Sequence, residues 1–240
     1  MTDPTRIPDV LDALRRTWEG QPELPLSTLF GMLENRGVGW GTGDPELLRV
    51  LGEMERTHPA RLPLVDSRPT GRYLLTTHDP EHRVTIDPNR VIVRRIMPDR
   101  RAAQPGVWDY RAIRPTGPSA PLVITDAEGI EHRLGVVRHI TLLDAAPAPE
   151  VVDLAGLRRR EVGEAVHLIR LAGGDMVLLD HGLELFRRGR RSLERDSLRW
   201  EELGTCRPGG ELTVRLRAGG GVVELGTVEQ ILAVEDAPAG

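Results

Sequence analysis

Arginine residues form two clusters whose guanidinium groups suit phosphate or carboxylate ligands. One cluster follows an apolar run that ends near residue 93, and the other follows a similar run that ends near residue 186. Guanidinium groups bind such anions through two parallel hydrogen bonds. We therefore predict anion-binding or partner-binding candidates at Arg94, Arg95, Arg100, Arg101, Arg187, Arg188, Arg190, Arg191 and Arg195. The alternative is a solvated loop whose arginines pair with Glu184, Glu194 and Asp196.

The two clusters belong to a longer pattern that occurs twice, about 93 residues apart. An Asp-led turn, an Arg pair, a tryptophan, an Arg-Pro step and a Leu-Gly step follow one another in the same order in both copies. A repeat of this kind predicts one small fold used twice. Trp108 and Trp200 occupy matching places, so they are either core residues or aromatic surfaces on which a ligand stacks.

Other residue types with catalytic or metal-binding potential lack the spacing that such chemistry needs. His78 and His82 are four residues apart, but they flank a proline-containing turn rather than lie on one helix face. No Ser/His/Asp or Cys/His arrangement stands out. The sequence therefore predicts no catalytic residue, no metal and no cofactor.

Two further features have a structural explanation that we prefer. The glycine series from Gly37 to Gly43 precedes a helix, but no Lys-Ser/Thr follows it, and Asp44 would repel a phosphate. We predict a flexible turn around Trp40. Cys206 precedes Arg207, which favours a lowered pKa, yet a lone small core residue is the simpler interpretation.

Composition restricts the class of protein. The chain has 240 residues, of which 39 % are hydrophobic, and a net charge of −4, which argues against a protein that coats nucleic acid through a basic surface. One cysteine excludes an internal disulfide and favours a reducing compartment. The first residues lack a signal-peptide pattern, and no apolar run approaches 18 residues. We expect a cytoplasmic protein without a membrane span.

Residues 6–58 have apolar side chains at helical spacing. Ile7, Val10, Leu11, Leu14 and Trp18 fall on one stripe of a first helix. A second helix is predicted from Ser27 to the Gly37 region, and a third from Asp44-Pro45 to His58-Pro59. These helices form a predicted module over residues 1–62.

From about Arg72 the period of the pattern changes from 3.6 to 2, which is typical of strands. Strands are predicted over residues 72–77, 83–86, 91–95, 107–113, 122–125 and 131–137, and again over 165–171, 176–179, 183–187, 198–203, 211–216 and 222–226. A proline-alanine stretch at 145–149 separates the copies. The prediction is an α+β chain: a small three-helix module, then two duplicated, mainly antiparallel β-barrel or sandwich domains at 63–146 and 153–236.

The second copy reads as a strand, Asp180-His181-Gly182, a strand, an Arg-rich loop and a strand that begins near Trp200. This order resembles bacterial pleckstrin-homology-like domains, and the resemblance extends over both copies. The Leu225-Gly226-Thr227-Val228 step also looks like the start of a photosynthetic-reaction-centre-type barrel. Both resemblances imply a non-catalytic binding module. The first also implies a closing helix, whereas residues 227–236 suit a short helix or a strand.

We therefore expect a non-enzymatic interaction or scaffold protein that binds a protein or an anionic partner, such as a lipid head group, through its duplicated β domains. A second hypothesis is a nucleic-acid-binding protein in which the helices at 27–36 and 44–58 and the hairpin at 72–95 form a winged-helix-like unit. Glu46, Glu53 and Glu55 on its presumed recognition helix oppose that hypothesis. A third is an enzyme with a pocket between domains.

Overall fold

The computed structural model describes residues 4–95, 103–145, 153–189, 193–217 and 219–235. The chain divides into two compact units, Met1–Pro147 and Ala148–Gly240. The first unit contains the helices and one β domain, and the second unit contains the other β domain. Three helices followed by two antiparallel β domains confirm the predicted fold class. No helix within the described ranges has the length and apolar character needed to cross a membrane.

The helical module consists of α1 (Arg6–Glu19), α2 (Leu26–Asn35) and α3 (Asp44–Thr57). Helix α2 begins directly after Pro25, and α3 has Pro45 in its first turn, where proline's missing N–H costs nothing. The helices share a small core whose members are Ala13, Leu29, Leu33, Val50, Leu51 and Met54.

Helix α1 is rotated relative to the stripe that the sequence predicts. Ile7 and Leu11 are 51 % and 59 % exposed, whereas Thr17 is fully buried. The Thr17 hydroxyl lies 2.9 Å from the carbonyl oxygen of Ala13 and 3.2 Å from that of Leu51, so its burial leaves no unsatisfied polar group. Hydrogen bonding therefore allows a polar residue to take the inward position on this helix.

The first β domain is a closed six-stranded antiparallel barrel preceded by the two-stranded hairpin β1 (Leu64–Val65) and β2 (Arg68–Pro69). The barrel strands are β3 (Arg72–His78), β4 (His82–Ile86), β5 (Arg90–Arg95), β6 (Gly106–Ile113), β7 (Pro121–Asp126) and β8 (Glu131–Asp144). Each strand pairs with the next, and β8 pairs back with β3. Alternate residues such as Leu75, Val84, Val93 and Ile140 fill the interior.

The second unit contains a curled seven-stranded sheet in the order β12-β11-β10-β9-β15-β14-β13. Its strands are β9 (Val166–Leu171), β10 (Met176–Leu179), β11 (Leu183–Arg188), β12 (Leu193–Leu198), β13 (Trp200–Leu203), β14 (Glu211–Leu216) and β15 (Val222–Glu235). Its core includes Ile169, Leu185, Trp200 and Val214.

The two β domains share an order of pairing. In each, the first strand pairs with both the second and the last strand of the domain. The peptide N–H of Val137 donates to the Ala120 carbonyl at 2.8 Å, and that of Val228 donates to the Gly210 carbonyl at 2.8 Å. Common origin by duplication stays a prediction.

Several boundaries differ from the predicted ones. Strands β8 and β15 each have 14 residues, because the chain stays extended well beyond the predicted ends. Strand β12 occupies a segment for which we predict a loop. Residues 227–235 form the end of β15, so the described part of the second domain ends in a strand. The structure thus supports tandem barrel-like domains and assigns neither of the two resembled families.

The helical module contacts the barrel of the first unit. The Nδ1 atom of His58 donates a hydrogen bond to the carbonyl oxygen of Ile140 at 3.2 Å. Arg138 on β8 forms an ion pair with Glu23 at 3.3 Å. Beyond α3 the chain enters the barrel domain through Leu62, whose N–H donates to the carbonyl of Thr116 at 2.9 Å.

Candidate functional site

The predicted arginines of the first cluster do not form an exposed patch within the described residues. Arg94 lies on β5 and is only 8 % exposed, whereas Arg95 ends the strand and is exposed. Arg100 and Arg101 lie outside the described residues. The part of this cluster that the structure describes therefore presents one accessible guanidinium.

The predicted arginines of the second cluster lie mostly on paired strands rather than in a loop. Arg187 contacts Asp196 at 2.6 Å across β11 and β12. Arg195 contacts Glu184 at 2.7 Å, and its guanidinium lies 5.9 Å from the centre of the Phe186 ring. The carboxylates therefore compensate two of the predicted cations. The guanidinium of Arg188 is exposed, and Arg190 and Arg191 lie outside the described residues.

The two matching tryptophans have different surroundings. Trp200 is fully buried in the core of the second unit. Trp108 is partly buried, packs against the barrel core and lies 5.3 Å from the ring of His132. Trp108 is therefore the one of the pair with ring surface accessible to solvent.

The Nε2 atom of His132 also forms a hydrogen bond with the carboxylate of Asp126 at 2.7 Å. This hydrogen bond lowers the pKa of Asp126. The carboxylate additionally accepts a hydrogen bond from the N–H of Ile130 at 2.8 Å. None of these partners is a nucleophile, so the contacts favour a structural role for the His–Asp pair.

The remaining sequence features are held by local contacts. His78 lies 3.0 Å from Asp79, and buried His82 lies 3.2 Å from the carbonyl of Leu134. No group of three potential metal ligands occurs in the described part of the chain. Cys206 is fully buried, and burial raises its pKa to about 12, so a reactive thiolate is absent at neutral pH.

The glycine series forms a turn that exposes an aromatic ring. The N–H of Thr42 donates to the carbonyl of Gly39 at 3.0 Å, and the Thr42 hydroxyl accepts from the N–H of Gly39 at 2.9 Å. Gly41 has a φ of 85°, which favours glycine at the third position of such a turn. The side chain of Trp40, at the apex, is fully exposed.

The candidate site is an open cleft of about 650 Å³ in the first unit, between the helical module and the barrel. We call it the arginine cleft. The charged residues that line it are Arg15, Arg16, Glu19, Glu55, Arg56 and Arg61. Apolar surface comes from Pro59, Ala60, Pro63, Tyr73 and Leu142. Four guanidinium groups and two carboxylates give the lining an excess of positive charge.

The carboxylates of the cleft are already engaged by two of its arginines. The Nε atom of Arg16 lies 2.9 Å from Glu55, and Arg15 lies 3.3 Å from Glu19. Among the described residues, Arg56 and Arg61 make no ion pair. The net positive charge of the cleft is therefore concentrated on this pair of side chains.

The backbone around Arg61 is held closely. A Cβ atom added to Gly117 would lie 2.3 Å from the carbonyl oxygen of Ala60, which shows how tightly the two segments approach. On the other side, Leu62 is hydrogen-bonded to Thr116. Arg56 lies in the last turn of α3, where His58 binds the barrel. Both arginines therefore project from anchored backbone, which lowers the entropic cost of binding a ligand.

Two histidines lie beside a smaller cavity of about 190 Å³ in the same unit. Burial lowers the pKa of His58, and nearby Arg36 lowers it further, although the bond to Ile140 opposes the shift. Burial also lowers the pKa of His139, with contributions from His58, Arg83 and Arg138, and Glu23 opposes them. The Thr76 hydroxyl lies 3.0 Å from the His139 ring. Both rings are therefore neutral in the folded unit at neutral pH.

We predict that mild acid destabilises the first unit. Because folding lowers both histidine pKa values, the unfolded chain takes up protons first, at the ordinary value of 6.5. Stability is then complete above about pH 6.5 and falls as the pH decreases through this value. Urea unfolding between pH 8 and pH 5 measures the effect. The double variant His58→Gln/His139→Gln should show a flatter pH profile than the parent.

Sequence reasoning did not identify the arginine cleft. Arg56 and Arg61 are isolated in the sequence and belong to no cluster. The only available signal is that α1 and α3 each place arginine on the face opposite their apolar residues. The site arises because the end of α3 packs on the barrel, and single-sequence periodicity does not report such contacts.

Geometry is the only basis for assigning this site. Comparisons of the chain with protein-family models, with curated proteins and with solved structures found no match in any of the three.

Proposed function

We propose that this chain is a non-enzymatic interaction protein whose first unit binds an acidic segment of a partner protein in the arginine cleft. The observation that carries the proposal is the presence of two cations, Arg56 and Arg61, that the described residues do not compensate, in a cleft of about 650 Å³. A cavity of this size accepts a few side chains. Carboxylates are the groups that two guanidinium groups bind best in a peptide.

The apolar lining favours a peptide with mixed character over a purely ionic ligand. Tyr73 and Leu142 are opposite each other on β3 and β8, and both line the cleft. Pro59 and Pro63 provide further rigid apolar surface. An acidic residue flanked by apolar ones would therefore place its carboxylate at the arginines and its neighbours on this surface.

The sheet edges favour the cleft over strand addition as the binding mode. The first barrel is closed, so it presents no free edge strand. In the second unit, residues 156–158 cover the outer edge of β13, since Gly156 and Leu157 exchange backbone hydrogen bonds with Leu203. Strand β12 carries consecutive charges at residues 194–196, which protect edges against pairing.

The contacts give the nucleic-acid hypothesis less support. Strands β3 to β5 are paired within the closed barrel and do not form a separate wing. On α3, Arg49 is paired with Glu46 at 2.7 Å and also with Glu53. The helix that would enter a groove therefore offers phosphate few unpaired cations.

Fluorescence anisotropy with a labelled ten-residue peptide of alternating Glu and Leu tests the proposal at 150 mM salt. The double variant Arg56→Gln/Arg61→Gln should bind the peptide at least about tenfold more weakly, because each charge-assisted hydrogen bond contributes about 1.5–3 kcal/mol. A peptide with Gln in place of Glu should bind weakly to the parent protein.

The matched control is Arg111→Gln/Arg133→Gln, which removes the same charge from exposed positions outside the cleft. Equal loss in both double variants would show that net charge, rather than the cleft, attracts the peptide. Tighter binding of a mixed-sequence oligonucleotide than of the peptide would overturn the choice of partner.

A further inference from the structure

A second pocket, in the other unit, has the features of a site for a compact anion. Its volume is about 510 Å³, and its charged lining residues are Arg158, Arg159, Arg160, Arg217, Glu201 and Glu202, together with His181. It shares no residue with the arginine cleft. We refer to it as the second-unit pocket.

The three consecutive arginines in this pocket have different partners. Arg158 forms an ion pair with Glu202 at 3.9 Å, and Arg160 forms one with Glu161 at 3.6 Å. Arg159 instead donates a hydrogen bond from Nε to the carbonyl oxygen of His181 at 2.5 Å. Arg159 therefore has no carboxylate partner among the described residues.

The backbone contacts hold this arginine segment in place. Gly156 donates to the carbonyl of Leu203 at 2.8 Å, and Leu203 donates to the carbonyl of Leu157 at 2.9 Å. The bond from Arg159 to His181 uses Nε alone, so its two terminal nitrogens remain available as donors. A guanidinium oriented in this way is pre-organised for a tetrahedral oxyanion.

A second cation and a turn complete the pocket. Arg217 lines it at the end of β14, and its peptide N–H donates to the carbonyl of Arg199 at 2.8 Å. The guanidinium of Arg217 is exposed and makes no ion pair within the described ranges. The His181 turn is fixed by Asp180, whose carboxylate accepts from the N–H of Gly182 at 2.5 Å. The His181 ring offers a further N–H donor.

One carboxylate opposes an anion here. Glu201 lies at the irregularity between Trp200 and Glu202 where the register of β13 and β14 shifts, and bulges of this kind redirect side chains. Glu202 is engaged by Arg158, which leaves Glu201 as the lining carboxylate without an ion-pair partner among the described residues. The two positive charges of Arg159 and Arg217 exceed the single negative charge of Glu201.

We infer that the second-unit pocket binds a phosphate group, held between Arg159 and Arg217, with His181 as a third donor. The group is a phosphomonoester or inorganic phosphate rather than a carboxylate. A tetrahedral anion has enough oxygens for two guanidinium groups and a histidine, and the pocket is more polar than the arginine cleft.

Isothermal titration of the full chain with inorganic phosphate, free phosphoserine and glycerol phosphate tests the inference, with acetate as the carboxylate control. We expect saturable one-site binding of at least one phosphate compound and much weaker binding of acetate. Preference for phosphoserine indicates a modified protein as the source, and preference for glycerol phosphate indicates a lipid head group. Absence of binding by all three compounds, or equal binding of acetate, would overturn the inference.

Variants assign the site. Arg159→Gln/Arg217→Gln should lose at least tenfold in phosphate affinity, whereas Arg188→Gln/Arg207→Gln removes the same charge elsewhere in the unit and should change it less than twofold. Glu201→Gln should bind phosphate more tightly, a gain that loss of folding does not produce. Arg56→Gln/Arg61→Gln should leave the phosphate titration unchanged, so this inference and the proposed function fail independently.

Discussion

Replacing Gly135 with alanine is expected to destabilise the first unit by roughly 2–6 kcal/mol. Gly135 has a φ of 94°, which costs an L-residue about 1–3 kcal/mol. An added Cβ would also lie 2.5 Å from the carbonyl oxygen of His78 and 2.7 Å from that of Pro80. Relieving this overlap requires the β3–β4 turn to move, and such overpacking adds about 1–3 kcal/mol.

The matching glycine of the second unit provides the control. Gly226 has a φ of 126°, but an added Cβ would meet only the side chain of Leu171, at 3.8 Å. The Gly226→Ala variant should therefore lose only the backbone contribution, about 1–3 kcal/mol. A larger loss of stability in Gly226→Ala than in Gly135→Ala would show that close approach of the backbone to the added Cβ does not determine the effect.

Each unit can be followed separately in these experiments. Trp200 is the one tryptophan of the second unit, whereas Trp108 lies in the barrel of the first. Fluorine NMR of protein labelled with 5-fluorotryptophan during urea unfolding should resolve both residues. Because two units need not unfold in one transition, the midpoints should be compared unit by unit.

The sequence predicts the strands best where buried and exposed residues alternate and a turn former follows. Asp87 directly follows β4, and its side chain accepts hydrogen bonds from the N–H groups of Asn89 and Arg90 at 2.7 and 2.9 Å. Asp180 makes an equivalent contact in the second unit. In both cases the residue type determines the turn locally, so the boundary is predictable from sequence.

Strand β12 could not be predicted in this way. Its residues 194–196 are charged, so the segment has the composition of a solvated loop. Cross-strand ion pairs from Arg187 to Asp196 and from Arg195 to Glu184 compensate for the missing apolar alternation. The same pairing gives Arg187 and Arg195 carboxylate partners, and anion binding by them stays a prediction. Tertiary contacts therefore changed the local structure expected for this segment.

The arginines that line the two pockets could not be recognised from the sequence for a different reason. Arg56, Arg61, Arg159 and Arg217 each lie where one segment crosses another, and their neighbours in the sequence give no anion-binding pattern. Like some exposed arginines elsewhere, these four make no ion pair among the described residues, but each of them also lines a pocket. Charge compensation depends on distances in the folded chain, which the clustering of arginines along the sequence does not report.

Gly20→Ala should disturb both the stability of the first unit and its arginine cleft. Gly20 follows α1, and a Cβ at this position would lie 2.0 Å from the carbonyl oxygen of His58 and 3.3 Å from the nitrogen of Ala60. The φ of Gly20 is −69°, so the penalty is steric rather than conformational. Overpacking against backbone atoms should cost about 1–3 kcal/mol, measured as a lower urea midpoint at the Trp108 resonance.

The steric conflict also connects stability with binding. The segment that must move contains Pro59 and Ala60, which line the cleft, and it leads directly into Arg61. Affinity for the acidic peptide should therefore fall under conditions where Gly20→Ala remains folded.

Gly31→Ala is the matched control, since no atom lies within 4 Å of the added Cβ in the interior of α2. It should stabilise the unit by about 0.5–1 kcal/mol and leave peptide affinity unchanged. Equal stability of the two variants would show that the end of α1 does not pack closely against His58. The argument that the cleft-lining segment after His58 is held rigidly would then fail.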